Sequence, residues 1–328
     1  MQPYELLEQK WAEFNQLDPA GMVVCSSGTS ALHLGLEALQ LPQGSEVITS
    51  DFNMIAVPRA VSMAGLTPVF VDCDDKLLMD FNLVPPPSRT LKAIIPVHIY
   101  GRRWPTNWLP DTWAIKRIED YAEAHGLRPD SSCDVACWSF YKNKVVAGEE
   151  GGAVWFRNND HAKLARQLRS LGFTDKHDFM HVPRGVNARM ANVLALPILE
   201  SLKNVESNMK ERRYIEELYN AECPDSWKMP SRDVVWCYDL RIRGMSKEQQ
   251  TKIVQMLNKA NIAARFAFQP MSSQEEYKSN KLVSSSTPSN ASVLANEVIY
   301  LPVTPGRPRC DKIAFSIMKD VAKSFSLL

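Results

Sequence analysis

Between Cys137 and Phe156 the chain reads CWSFYKNKVVAGEEGGAVWF, with Lys142 and Lys144 two residues apart between an aromatic cluster and a run of acids and glycines. A lysine amine that has lost its proton attacks carbonyls, and a desolvated, cation-rich site promotes that loss. Two other segments carry groups able to work with it. SSGTSAL, from Ser26, sets hydroxyls and a glycine at the entrance of a helix, where free N–H groups and the helix dipole favour a phosphate. IEDYAEAHG, from Ile118, ends an apolar run in Glu119 and Asp120 and so supplies a carboxylate for a cation. Each segment alone has an ordinary explanation as an N-cap, a turn residue or a surface lysine. Local composition does not choose between the two lysines.

The order of the three changes the reading. A phosphate-binding helix start, a strand-end aspartate, and a lysine about two dozen residues later beside Ser139 are the parts that hold pyridoxal 5′-phosphate. One binds the phosphate, one pairs with the pyridine nitrogen, and one supplies the amine.

The surrounding pattern can position such parts. MVVCSSGTSALHLGLEAL and SEVITSDFNMIAVPRAVSMAG each start as a short apolar strand, break at a polar turn and resume with helical spacing. TPVFVDCD and LKAIIPVHIYG are near-continuous apolar runs that end in polar residues, as strands of a parallel sheet do. This predicts an α/β sheet over residues 20–200, with function at the carboxyl ends of the strands: Ser26–Ser30, Asp51–Asn53, His98–Tyr100 and Glu119-Asp120. A charged helical segment near 200–222 leads to a smaller C-terminal α/β unit, so residues 1–205 are expected to form a large domain and 206–328 a small one. MSSQEEYKSNKLVSSSTPSNAS, from Met271, reads as a polar and mobile loop.

Composition bounds the rest. Thirty-eight Lys and Arg against 37 Asp and Glu give a net charge of +1, without the basic excess of a nucleic-acid binder. Seven scattered cysteines and six histidines form no zinc pattern and fit free thiols in a reducing compartment. No apolar run approaches the ~20 residues of a membrane span, and MQPYELLEQKWAEF reads as an amphipathic helix rather than a leader. These features predict a cytoplasmic protein.

Taken together, SSGTSALHLGLEAL, EVITSDFNMIAV, AGLTPVFVD, IIPVHIYG, IEDYAEAHG, SFYKNK followed by EEGGAV, GVNARMANVLALPILESL and IYLPVTPG resemble, in order, the DegT/DnrJ/EryC1/StrS family of pyridoxal-phosphate-dependent sugar aminotransferases. The resemblance implies fold type I, with a large mostly parallel sheet domain and a smaller α/β domain. It makes Lys144 the Schiff-base lysine, because the family's lysine stands at that distance from Ser139-Phe140, and leaves Lys142 a bystander. Asp120 then bonds the pyridine nitrogen, while Gly28, Thr29, Ser30 and Ser139 hold the phosphate. Asn187 reaches the phosphate in a neighbouring subunit, which implies a homodimer with shared active sites. Phe52, Tyr100 and Arg189 fall to the substrate. The implied partners are an amino donor, glutamate by resemblance, and a small-molecule acceptor, by default a nucleotide-activated keto-sugar. No metal is implied.

Four departures qualify the match. Only Met1–Gly21 precede the phosphate turn, so one wall of the pocket is expected to be absent or rebuilt. Met54 stands where an aromatic ring usually covers the cofactor, unless the register shifts and Phe52 takes the place. Glu123 stands where Gln or His usually approaches the cofactor's phenolic oxygen, and FQPMSSQEEYK lacks the family's small-domain histidine. The same residues also suit a decarboxylase or dehydratase acting on an unusual amino compound, or a regulatory protein that binds the cofactor without catalysis. Acceptor specificity is expected in the divergent loops Arg102–Asp111 and Ser272–Ser292.

Overall fold

The computed structural model describes residues 1–105, 109–110, 112–174, 176, 178–305 and 311–325. Thr106, Asn107, Trp108 and Asp111 of the first divergent loop, and Gly306 of IYLPVTPG, lie outside the described residues.

The apolar runs form the expected strands, and one eight-stranded sheet collects them. Its strands are β1 (Met22–Cys25), β2 (Glu46–Ser50), β3 (Thr67–Val71), β4 (Leu91–Ile95), β5 (Lys116–Asp120), β6 (Val135–Ser139), β7 (Gly152–Phe156) and β10 (Leu282–Val283). They lie in the order β1-β7-β6-β5-β4-β2-β3-β10. Only β7 runs against its neighbours, pairing Gly152 with Cys25 on one side and with Ser139 on the other. The carboxyl ends of β1, β5 and β6 and the start of β7 therefore share one edge, the place where a parallel sheet gathers its chemistry.

Helices cover both faces. α2 (Gly28–Ala38), α3 (Ala56–Met63) and α4 (Asn159–Arg169) pack with one apolar core, while α1 (Pro3–Asn15) and α5 (Asn192–Lys203) close a second around Trp11, Trp138 and Phe140. Trp11 is fully enclosed and stands edge-on to His125, Trp138 and Phe140. The N-terminal segment thus braces the sheet beneath the site, and none of Met1–Gly21 lines the cavity described below.

α6 (Val205–Glu222) leads to a three-stranded sheet, β8 (Tyr238–Arg241), β11 (Val298–Leu301) and β9 (Arg265–Phe266), with α7 (Lys247–Lys259) and α9 (Asp311–Ser324) against it around a third core. The Met271–Ser292 segment, expected as a mobile loop, is instead tied to the large sheet. Its two-residue strand β10 runs parallel to β3. The Asp51 carboxylate accepts Ser272 N–H at 2.7 Å and its hydroxyl at 3.0 Å. Asp72 accepts the Ser284 hydroxyl at 2.7 Å and, at the start of α8 (Asn290–Glu297), the N–H groups of Asn290 and Ala291, each at 2.8 Å. A two-residue strand is too short for alternation to reveal, and its acidic partners lie about 200 positions earlier, so local reading misses both.

No helix among the described residues is long and apolar enough to cross a membrane. Cys25, Cys73, Cys133, Cys137, Cys223 and Cys237 are free and buried.

Candidate active site

The shared sheet edge opens into a cavity of about 440 Å³ lined by Gly28, Thr29, Met54, Asp120, Glu123, Ser139, Lys144 and, from the C-terminal unit, Trp236, Phe268 and Tyr300, among others. At one end stands the first turn of α2. Ser27 caps it, its hydroxyl accepting Ser30 N–H at 3.1 Å. The N–H groups of Gly28 and Thr29 have no acceptor within their own helix. A side chain at Gly28 would meet Ser139 Cβ at 2.7 Å, and one at Gly152 would meet Ser27 O at 2.2 Å. Glycine at both positions lets the turn lie against β6 and β7.

Asp120 ends β5 inside the cavity wall. Its Oδ1 accepts Ala122 N–H at 2.8 Å. Burial raises its carboxyl above the ordinary range, against the lowering effect of the Ala122 N–H, Lys144 and His98. A carboxylate held in this way is stabilised by a cation brought against it. The strand end is fixed from behind. Glu119 accepts from His98 Nε2 at 3.0 Å, pairs with Arg117 at 2.7 Å, and accepts the Tyr121 hydroxyl. Trp104 N–H donates to His98 Nδ1 at 3.0 Å, which leaves Nε2 as the protonated nitrogen.

The two lysines separate here. Lys142 is exposed, its amine 5.6 Å from the Tyr141 ring centre and outside the cavity lining. The Lys144 side chain is 11% exposed and enters the cavity, with Nζ 3.8 Å from Glu123 Oε1 and 4.5 Å from the centre of the Trp236 ring. Its turn is held by the C-terminal unit. Trp236 Nε1 donates to Asn143 O at 3.0 Å, and Arg212 on α6 donates to Lys144 O at 3.3 Å and to Trp236 O at 3.0 Å.

Glu123 is fully buried, its Oε2 accepting Tyr100 N–H at 2.9 Å. Burial pushes its carboxyl up to about 7, against the pull of Lys144 and the Tyr100 N–H. His125 accepts Val146 N–H through Nδ1 at 3.1 Å, and burial drives its imidazole down to about 3.

The other expected residues fall in different places. Met54 lines the cavity and is half exposed. Phe52 lies behind the lining, fully buried and edge-on to Tyr100. Tyr100 is also buried, at φ 52°, within an aromatic cluster with Trp236, Phe268 and Tyr300. Ser30 bonds to Ser26 and Ser27 on the first turn of α2. Asn187 and Arg189 are exposed and lie outside this chain's own cavity. Trp236, Phe268 and Tyr300 are lining residues from the C-terminal unit that the sequence did not single out. They arrive from more than 90 positions beyond Lys144, and no local pattern marks them.

This donor set fits pyridoxal 5′-phosphate: N–H groups and hydroxyls for a phosphate at one end, a buried carboxylate wanting a cation, and an amine between aromatic walls. Among the described residues no group of His, Cys, Asp and Glu is arranged to hold a metal ion.

Comparison with known proteins agrees with that fit. The model of the DegT/DnrJ/EryC1/StrS aminotransferase family matches residues 3–311. The chain is 30% identical over 272 residues to GDP-perosamine synthase of Caulobacter vibrioides, covering 76% of this chain and 72% of that one. It is 32% identical over 229 residues to dTDP-3-amino-3,4,6-trideoxy-alpha-D-glucose transaminase of Micromonospora megalomicea, covering 66% of this chain and 60% of the relative. The structure of the putative sugar aminotransferase Spr1654 from Streptococcus pneumoniae, in its PMP form, superposes with a TM-score of 0.87 at 21% identity, covering 99% and 92% of the two chains. At that identity the superposition speaks for the fold.

Proposed function

We propose, from the premise that this chain belongs to the DegT/DnrJ/EryC1/StrS aminotransferase family and is a pyridoxal-phosphate-dependent aminotransferase, that it moves an amino group from glutamate to a nucleotide-activated keto-sugar. The observation that carries this reading is the convergence of Lys144, Asp120 and the first turn of α2 on one cavity. The relatives named above support the acceptor class, since one is named a synthase of a GDP-linked sugar and the other a transaminase of a dTDP-linked amino-sugar.

When bound, pyridoxal phosphate supplies a carbonyl for the amine and a ring that draws electrons from the substrate carbon. The chain does the rest. Gly28, Thr29, Ser30 and Ser139 anchor the phosphate and fix the depth of the ring. Asp120 keeps a proton on the ring nitrogen, because a buried carboxylate beside it favours the charged form. Lys144 would hold the cofactor through its amine and, when that amine is free, would be placed to move a proton to and from the reacting carbon. Trp236, Phe268 and Tyr300 exclude water and leave an apolar wall for the acceptor.

The same reading makes the working form a homodimer in the cytoplasm. Asn187 and Arg189 are exposed on the chain that carries them and are available to a partner's site. Val193 and Leu196, on α5, are 70% and 55% exposed, an apolar strip for a second copy to cover.

The test is to mix the yellow protein with L-glutamate. Bleaching of absorbance near ~420 nm in favour of a band near ~330 nm, with release of 2-oxoglutarate, supports transamination. Carbon dioxide release from another amine, with no reaction of any common amino acid, refutes it.

A further inference from the structure

Lys144 faces a group that holding the cofactor does not by itself require. Glu123 Oε1 lies 3.8 Å from Nζ. The carboxyl is pinned through its other oxygen, Oε2, by the Tyr100 N–H at 2.9 Å. Tyr100 is itself held at φ 52° in the aromatic cluster, so Glu123 has little freedom to turn away.

We propose that Glu123 is the proton partner of Lys144. When the lysine must become a neutral amine, an N–H bond of its ammonium breaks and an O–H bond forms on Glu123, giving an amine and a carboxylic acid. The proton returns when the lysine is released as an ammonium. No other reactant enters, and the 3.8 Å gap is closed by a small rotation of the lysine side chain or by one water.

The surroundings suit a carboxyl that both holds and gives up a proton. Lys144 faces it from the loop after β6, Asp120 from the end of β5, and Asp239 from β8. Tyr100, Tyr300 and Cys237 complete the polar groups around it. Asp239 is paired with Arg102 at 2.9 Å and Arg232 at 3.0 Å, and it joins Asp120 in raising Glu123 against the lowering effect of Lys144. Burial in this company brings the carboxyl to about 7, where a proton carrier works best at neutral pH.

The inference rests on Lys144 being the lysine that bonds the cofactor, and the experiment separates the two claims. Cofactor-free protein is labelled with trinitrobenzenesulfonate and Lys144 is read by peptide mass. At about pH 8.5, where the Glu123 carboxylate is charged, E123Q should label Lys144 ~10-fold faster than wild type, because losing the neighbouring anion favours the neutral, reactive amine. At about pH 6 the two should converge, because Glu123 is then neutral in both. A purely structural role for Glu123 would not cross over in this way. The second readout is infrared. Loading wild type with pyridoxal phosphate should add a protonated-carboxyl band that shifts in D2O, and loading E123Q should not. This signal is read on the unaltered protein, so the proposal stays testable if E123Q folds poorly. Equal labelling at both pH values, or no added carboxyl band in wild type, overturns the proton partnership. Cofactor bonding that survives in K144A overturns the lysine assignment instead.

Discussion

Lys144 Nζ stands 4.5 Å over the centre of the Trp236 ring, and the Trp236 indole N–H donates at 3.0 Å to the carbonyl of the residue just before that lysine. The Lys144 amine and its turn are thus positioned by a tryptophan that precedes the small sheet. One side chain sets both the turn and the amine.

W236F keeps a ring over the amine and removes the hydrogen bond to Asn143. The loss of that bond together with a weaker cation–π face should slow the half-reaction with glutamate ~10-fold. Stopped-flow absorbance measures it, and an unchanged rate would remove Trp236 from the positioning of Lys144.

D120N preserves the shape of the strand end and removes its charge. The yellow band should survive, while the half-reaction slows ~100-fold or more, as on loss of a preorganised electrostatic partner. A variant that reacts at the wild-type rate would show that Asp120 does not face the ring nitrogen.

His125 links stability to pH. Its imidazole sits at about 3 in the fold, because burial, helped by Lys144 and Arg212, disfavours the charged ring. As pH falls below the ordinary 6.5 the unfolded chain takes up the proton first, so stability is lost from there down to about 3. Between about pH 7 and 5 the wild type should lose ~2 kcal/mol more than H125N, whose Asn can still accept the Val146 N–H. Urea melts at the two pH values test this. Parallel losses would contradict it.

The exposed α5 strip gives a prediction for assembly. L196E should sediment as a monomer of 37.0 kDa where wild type sediments as a dimer, and it should lose activity if Asn187 serves a partner's site. A dimer undisturbed by L196E places the interface elsewhere.

The sequence made the large sheet legible because its strands are continuous apolar runs with their polar residues at one end. Ser27–Ser30, Asp120 and Ser139 stand at strand or helix termini in short motifs, and so could be singled out in the sequence. Lys144, in the loop after β6, was singled out only by its distance from Ser139-Phe140 in the family pattern. The far side of the site was not legible. Trp236, Phe268 and Tyr300 reach the cavity only through the packing of a second sheet, and Glu123 gave no sign of how near the amine it lies. The Met271–Ser292 segment looked unstructured because its order comes from Asp51 and Asp72, which no local window contains.

On the proposed function Lys144, and not Lys142, bears the cofactor. The direct measurement is the absorbance near ~420 nm of K144A and K142A after loading with pyridoxal phosphate and removal of the excess. K144A should show no band and K142A a wild-type band. A band retained by K144A and lost from K142A would contradict it.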